Sequence, residues 1–215
     1  MTSLFITFEG GEGAGKTTQI KRLAQKLTDK GYKVITTREP GGTPEAEKIR
    51  DLLVQRGGGQ WSPLSETLML FAARSLHVER VIKPALDNGH IVICDRFTDS
   101  TRAYQGYGHG LDLNIIETLK DTVIGGLEPD VTFILDIDPK IGLGRSERRL
   151  ASEALDIKQK EDRFESLNIS FHEKLRQGFL QIAQQNKSRC FVMDASQSLN
   201  DVTQEVLKTA LAKIE

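Results

Sequence analysis

One eight-residue stretch, Gly10-Gly11-Glu12-Gly13-Ala14-Gly15-Lys16-Thr17, constrains the fold of this chain more than any other. It has the spacing G-x-x-x-x-G-K-[ST], and its surroundings fit the mechanics of that motif. The apolar run Leu4 to Phe8 precedes it and reads as a strand. Ile20, Leu23, Ala24 and Leu27 follow at the i, i+3, i+4, i+7 spacing of a helix that starts near Lys16 and stops at Gly31. Glycines in such a turn let successive backbone N–H groups face an anion, and the helix N-terminus adds partial positive charge. Lys16 is placed to reach β- and γ-phosphates, and the Thr17 hydroxyl suits a Mg²⁺ ligand. A nucleoside triphosphate site at the first strand-to-helix turn is the expectation.

The rest of the chain keeps the same alternation. Lys33–Thr37, Ile91–Cys94, Val131–Leu135 and Cys190–Met193 predict four more strands. Between them lie helical patterns: a short one at Ala46, Ile49, Leu52 and Leu53, then Leu64 to about Ile82, then Leu113, Ile116, Leu119 and Val123. A long helix is expected from Phe164 to Ile182, and a last one through Leu199, Val202, Val206 and Leu211. Gly57-Gly58-Gly59 reads as a flexible break. Strands that alternate with helices predict a parallel five-stranded sheet flanked by helices, an α/β fold of three layers. A single domain over residues 1–215 accounts for the whole chain, with no internal repeat or linker. The one compositional shift runs from Arg145 to Arg163, dense in charge and poor in large apolar residues. It reads either as a solvated helix face or as an arginine-rich lid over about 143–163.

Charge and composition exclude other classes. Lys plus Arg number 29 against 30 Asp plus Glu, a formal charge of −1, which argues against a general nucleic-acid or membrane-surface binder. No apolar run approaches the roughly 18 residues of a transmembrane helix. The N-terminus lacks the basic flank of a cleaved signal, so a cytoplasmic location is expected. Cys94 and Cys190 each sit beside a short apolar run and read as buried strand thiols. His77, His90, His109 and His172 lack metal-ligand spacing.

Three reaction classes share the phosphate motif, and two fail on inspection. A switch GTPase needs Asp-x-x-Gly and Asn-Lys-x-Asp, but no Asp has Gly three residues on, and Asn186-Lys187-Ser188-Arg189 ends in the wrong residue. A partition-type ATPase needs a lysine directly after the first glycine, where this chain has Gly11. A small-molecule kinase remains. Cys94-Asp95-Arg96-Phe97 follows the third strand, where ligand groups gather in an open parallel sheet. Asp95 could orient Mg²⁺ or the attacking oxygen, and Arg96 could hold a second anion, although a surface salt bridge would read the same way. Thr37-Arg38-Glu39-Pro40-Gly41-Gly42-Thr43 ends the second strand similarly, aiming Arg38 at the same cleft.

At these residues the chain resembles thymidylate kinases (dTMP kinases) of the bacterial type, over its whole length. The resemblance rests on five motifs in order: Phe8-Glu9-Gly10-x-Glu12-Gly13-x-Gly15-Lys16-Thr17-Thr18, Thr37-Arg38-Glu39-Pro40-Gly41-Gly42, Phe71-Ala72-Ala73-Arg74, Asp95-Arg96-Phe97 and Asp99-Ser100-Thr101-x-Ala103-Tyr104-Gln105-Gly106. It implies a fold of the P-loop NTPase type, ATP held by Gly10 through Thr18, Mg²⁺ at Thr17 and Asp95, and transfer of the γ-phosphoryl group to dTMP. Glu12 is similar to the family's contact to the deoxyribose 3′-hydroxyl. Arg38, Arg96 and Arg50 look like the arginines around the acceptor phosphate. Phe71 resembles the aromatic that stacks on thymine, and Arg74 the residue that reads a thymine carbonyl. Thr101 and Gln105 fall at the base edge, and Tyr104 below the sugar. A cis Glu39–Pro40 bond and a homodimer involving the Leu64–Ile82 helix are also implied. From spacing alone, Phe71 fits a core stripe equally well, and Tyr104 to Gly108 could be a plain loop.

One departure carries mechanism. Some thymidylate kinases place an arginine inside the phosphate loop, where this chain has Gly13. The resemblance then implies that the lid supplies the cation, from Arg145, Arg148 and Arg149, with Arg149 expected at the γ-phosphate and therefore catalytic with Lys16, Asp95 and Arg96. A kinase for another nucleoside monophosphate, or a non-catalytic nucleotide-binding protein, remains the alternative at this stage.

Overall fold

The computed structural model describes residues 3–55, 58–151 and 163–214, without the side chain of Arg149. Five strands, β1 (Leu4–Glu9), β2 (Val34–Arg38), β3 (Ile91–Asp95), β4 (Val131–Asp136) and β5 (Cys190–Asp194), form one sheet in the order β2-β3-β1-β4-β5. Every pairing is parallel, so all carboxyl ends lie along one edge. Strand β1 is central, with β3 on one side and β4 on the other, and the order reverses there. Ligands of open parallel sheets bind at such a switch point.

Helices cover both faces because the strand side chains alternate. Leu4, Ile6 and Phe8 turn to one face and pack with Ile93, Phe133 and Leu135 against α1 (Lys16–Asp29) and α9 (Leu199–Ile214), through Leu23, Leu27, Val202 and Val206. Phe5 turns to the other face, where it meets Val92, Phe97, Val78 and Ile82. On that face Ile134 and Cys190 pack against Phe171, Leu175, Phe179 and Ile182 of α8 (Ile169–Gln185). Both cysteines are buried and free, as their apolar surroundings predicted.

The remaining helices are α2 (Pro44–Val54), α3 (Pro63–His77), α4 (Lys83–Asp87), α5 (Thr98–Thr101), α6 (Leu113–Ile124) and α7 (Pro139–Ala151). One boundary differs from the sequence pattern for a physical reason, and two stretches take π-helical form. The Leu64–Ile82 period continues past α3 as one π-helical turn, Val78–Ile82, leading into α4. The helix expected from Phe164 starts later, at Ile169, because the Asn168 side chain accepts from the Phe171 N–H at 2.9 Å and caps it. The stretch through Tyr104 and Gln105 is no plain loop: a π-helical segment, Arg102–Gly108, extends α5. The first half of the expected lid is helical as α7, while residues 152–162 of it, and Gly57 of the glycine break, lie outside the described residues.

Candidate active site

Three strand ends assemble the site, and backbone hydrogen bonds lock them together. The Arg96 N–H donates to Phe8 O at 3.0 Å, and the Glu39 N–H donates to Asp95 O at 2.9 Å. Segments far apart in sequence thus end at one edge of the sheet. Arg96 adopts φ 70°, the left-handed conformation that is costly for a side-chain-bearing residue and concentrates at functional sites.

The phosphate loop leads directly into α1, with Gly15 at its N-cap. Lys16 is buried and its Nζ donates to Gly10 O at 3.1 Å and Gly11 O at 3.0 Å, so the ammonium is held across the mouth of the loop. Burial, and then the neighbouring Arg96, depress its pKa against the pull of Glu12 and Asp95. The Thr17 hydroxyl donates to Asp95 Oδ2 at 3.2 Å. Mg²⁺ commonly takes one or two protein oxygens and fills its other positions with phosphate and water. A hydroxyl and a carboxylate already within contact distance fit that demand. Among the described residues no cluster of three or more His, Cys, Asp or Glu side chains offers an all-protein metal cage. The cleft beside the loop is lined by Gly13 through Thr18 together with Arg38, Asp95, Arg96 and Arg145.

A second pocket lies next to it, lined by Arg74, Arg96, Thr101, Tyr104 and Gln105 among others. Arg96 is its hub: Nη1 donates to Gly10 O at 3.0 Å and Ser100 Oγ at 3.1 Å, and Nη2 to Glu12 Oε1 at 3.0 Å. Its guanidinium also lies 5.0 Å from the Tyr104 ring centroid, and the Tyr104 hydroxyl donates to Glu12 Oε1. Burial alone would raise the Glu12 pKa, but Arg96 and Lys16 outweigh it and hold the carboxyl at about 2. The pocket is also lined by Arg74, 2% exposed, whose Nε donates to Glu39 Oε2 at 2.7 Å. Its Nη2 donates to Phe97 O at 3.2 Å and Thr101 Oγ1 at 3.1 Å. That leaves Nη1 buried without a hydrogen-bond partner among the described residues, and the Oε1 of Gln105 is in the same condition. An arginine and an amide buried with one polar atom each unmet are what a recognition pocket requires.

Most of the expected site residues converge here, and some do not. Arg50 lines both cavities, donating to Pro40 O at 3.0 Å, and the Glu39–Pro40 bond is cis. Arg38 lines the nucleotide side and pairs with Glu47 Oε2 at 3.0 Å. Phe71 does not line the pocket: it is 1% exposed and lies beneath the Arg74 guanidinium, 4.7 Å from its ring centroid. The side chain on that helix that does line the pocket is Leu70. The structure does not bring Phe71 to the pocket wall, where Leu70 stands one position earlier.

In α7, Arg145 lines the nucleotide cleft. Arg148 does not line it: its Nε donates to Gly144 O in its own helix at 3.0 Å. The expected contact of Arg149 lies outside the described side chains. Glu39 was missed in the sequence. It accepts from Arg74 and, at 2.9 Å, pairs with His77 Nδ1. Its place between an arginine and a proline at a strand end was the available signal.

A central phosphate loop with a paired hydroxyl and carboxylate, facing an arginine-rimmed second pocket, defines a nucleotide-dependent phosphotransferase of the phosphate-loop class. The comparisons narrow the class. The family model for thymidylate kinase matches residues 8–206. A thymidylate kinase of Caulobacter vibrioides is 48% identical, covering 98% of this chain and 97% of that protein. One of Magnetococcus marinus is 49% identical, covering 94% and 92%. The crystal structure of thymidylate kinase from Ehrlichia chaffeensis superposes with a TM-score of 0.76 at 40% identity, over 98% of this chain and 99% of that one. The chain belongs to the thymidylate kinase family.

Proposed function

We propose that this enzyme transfers the γ-phosphoryl group of ATP to the 5′-phosphate of dTMP, giving dTDP and ADP. One observation carries the reading: Glu12, Glu39, Arg50, Arg96 and Glu165 line both the phosphate-loop cleft and the adjoining pocket. A donor phosphate on one side and an acceptor phosphate on the other would meet at the Arg96 guanidinium.

The acceptor is an ionised phosphate near neutral pH, since the second pKa of a phosphate monoester is about 6. No general base is required, so the protein's work is positioning and charge stabilisation. The Thr17 and Asp95 oxygens would hold Mg²⁺, which when bound would supply neutralisation of charge on the transferred group. Lys16 holds the donor phosphates, Arg50 and Arg96 hold the acceptor phosphate with Arg38 reaching it from the cleft side, and the lid brings Arg145 and Arg149 to the donor side. Arg74, Thr101 and Gln105 read the base edge. Tyr104 and Glu12 hold the sugar. A closed lid excludes water, the competing acceptor.

A homodimer in the cytoplasm completes the reading. Leu64 and Leu68 of α3 and Ile115 of α6 are 42%, 49% and 37% exposed, an apolar face on two packed helices. No helix among the described residues is long and apolar enough to cross a membrane. The test of the activity is ADP formation with ATP, Mg²⁺ and, in turn, dTMP, dUMP, UMP, CMP, AMP and GMP. Turnover highest with dTMP is expected. Absence of ADP with dTMP, or a stronger preference for another acceptor, overturns the reading.

A further inference from the structure

We propose that Glu66 is a positioning residue that fixes which end of the Gln105 amide faces the nucleobase, and so selects a pyrimidine carrying a hydrogen on N3 over one that does not. The proposal rests on the dTMP reading above and adds the residue on which the base choice depends.

The two ends of a glutamine amide are nearly identical in shape and opposite in hydrogen bonding. Something must decide which end meets a ligand. Gln105 is 1% exposed and lines the acceptor pocket. Its Nε2 donates to Glu66 Oε2 at 3.0 Å. A carboxylate only accepts, so chemistry requires the NH₂ end to face Glu66. The carbonyl oxygen is then left over, and it has no hydrogen-bond partner among the described residues. Glu66 is 1% exposed and does not line the pocket, so its effect on the base passes through the Gln105 amide it holds.

Glu66 is itself held in place. Its Oε1 receives the Arg163 Nη2. Arg163 is anchored in turn, with Nη1 donating to Leu53 O at 2.6 Å and its backbone N–H to Val54 O at 3.2 Å. The carboxylate therefore cannot swing away from the amide without giving up its cation.

In the same pocket, the unpartnered Arg74 Nη1 is a donor. A guanidinium cannot accept, so that half of the recognition is invariant. A donor from Arg74 and an acceptor from Gln105 in one pocket complement the C4=O and N3–H of thymine or uracil. Cytosine presents an amine and a bare N3, and both contacts would be wrong. The sign of the second contact is set by Glu66.

Glu66→Gln tests this with little change of shape. Arg163 still demands an oxygen, so the new NH₂ occupies the former Oε2 position and faces Gln105. The Gln105 amide then turns over and presents its NH₂ to the base. The expected result is a fall of about 10- to 100-fold in kcat/KM for dTMP and dUMP together, mostly in KM. The dTMP-to-dCMP ratio of kcat/KM falls at least about tenfold. A loss shared equally by dTMP, dUMP and dCMP, or an unchanged ratio, would mean that Glu66 is only structural, and overturns the proposal. Wild-type enzyme that does not prefer dTMP to dCMP would instead sink the base-pocket reading itself. A second measurement needs no folded variant at position 66. In ¹⁵N spectra of the wild type, the Gln105 side-chain NH₂, assigned by its loss in Gln105→Met, stays protected and unshifted on dTMP binding. A new hydrogen-bond shift on adding dTMP would place the NH₂ against the base and refute the proposal.

Discussion

A Cβ on Gly13 would lie 2.0 Å from the carbonyl oxygen of Gly142, and a Cβ on Gly142 would lie 2.3 Å from the carbonyl oxygen of Glu12. The phosphate loop and the first turns of α7 touch backbone to backbone, and neither position has room for a side chain. Gly13 also has φ 65°, which costs a side-chain-bearing residue about 1–2 kcal/mol. Gly13→Arg would therefore not transplant the loop arginine of some family members. It would push the loop off α7. The expected outcome is a melting temperature lower by several degrees and a KM for ATP raised at least about tenfold, read by calorimetry and steady-state kinetics.

Lys16 and the Thr17–Asp95 pair act on different quantities. Lys16→Met removes a buried cation from the phosphate loop, and kcat is expected to fall by about 10²–10⁴. Thr17→Ala and Asp95→Asn each take one oxygen from the proposed Mg²⁺ site. Their signature is a higher Mg²⁺ concentration for half-maximal rate, measured by titrating Mg²⁺ at saturating nucleotide. An unchanged Mg²⁺ dependence in both variants would remove the pair from metal binding.

The lid arginines are expected to separate from one another. Arg149→Ala should lower kcat by about 10²–10⁴ with little change in the KM for dTMP. Arg145 lines the nucleotide cleft and reaches Ala195 O at 3.4 Å, so Arg145→Ala should act chiefly on the KM for ATP. Arg148→Ala should stay within a few-fold of wild type, because that side chain is exposed and turned back on Gly144. Full turnover in Arg149→Ala would exclude it from the mechanism.

Glu9 makes stability depend on pH. Burial first, then the charge of Asp99, push its carboxyl from 4.5 up to about 7, against Arg96 and the hydrogen bonds from Ser100 and Phe97. Between those values the folded state holds a proton that the unfolded chain has lost. The stabilisation is complete below 4.5 and is lost as pH rises through 7. Glu9→Gln cannot ionise and retains groups to accept from Phe97 N–H and to pair with Ser100 Oγ, contacts now at 2.7 and 2.5 Å. Its melting temperature should vary less than that of the wild type between pH 5 and 8, and exceed it at pH 8. Glu12 works in the opposite sense. Held at about 2, it contributes stability that is present above 4.5 and lost as pH falls toward 2.

Leu68 tests the dimer. Leu68→Glu places a charge on the exposed apolar face of α3, and sedimentation analysis is expected to show a monomer at concentrations where the wild type is dimeric. A variant that sediments like the wild type would place the interface elsewhere.

The alternation of short apolar runs with helical periods determined the five strands, their helices and the parallel sheet, because burial on a strand or one helix face imposes a local period. The phosphate loop was equally local, with Gly10 to Thr17 contiguous and each role following from residue type. The order β2-β3-β1-β4-β5 was not local, and it is what brings Arg38, Asp95 and Arg96 to one edge. Helix phase was beyond the sequence as well. A turn of about 100° between neighbours decides that Leu70 lines the pocket and Phe71 the core, and an apolar pair leaves both phases open. Least legible of all was Glu66. Its meaning depends on Gln105, 39 positions away, and Arg163, 97 positions away. Only packing brings together an acceptor-only carboxylate, an ambiguous amide and a fixed cation, and their hydrogen-bonding rules then leave one arrangement.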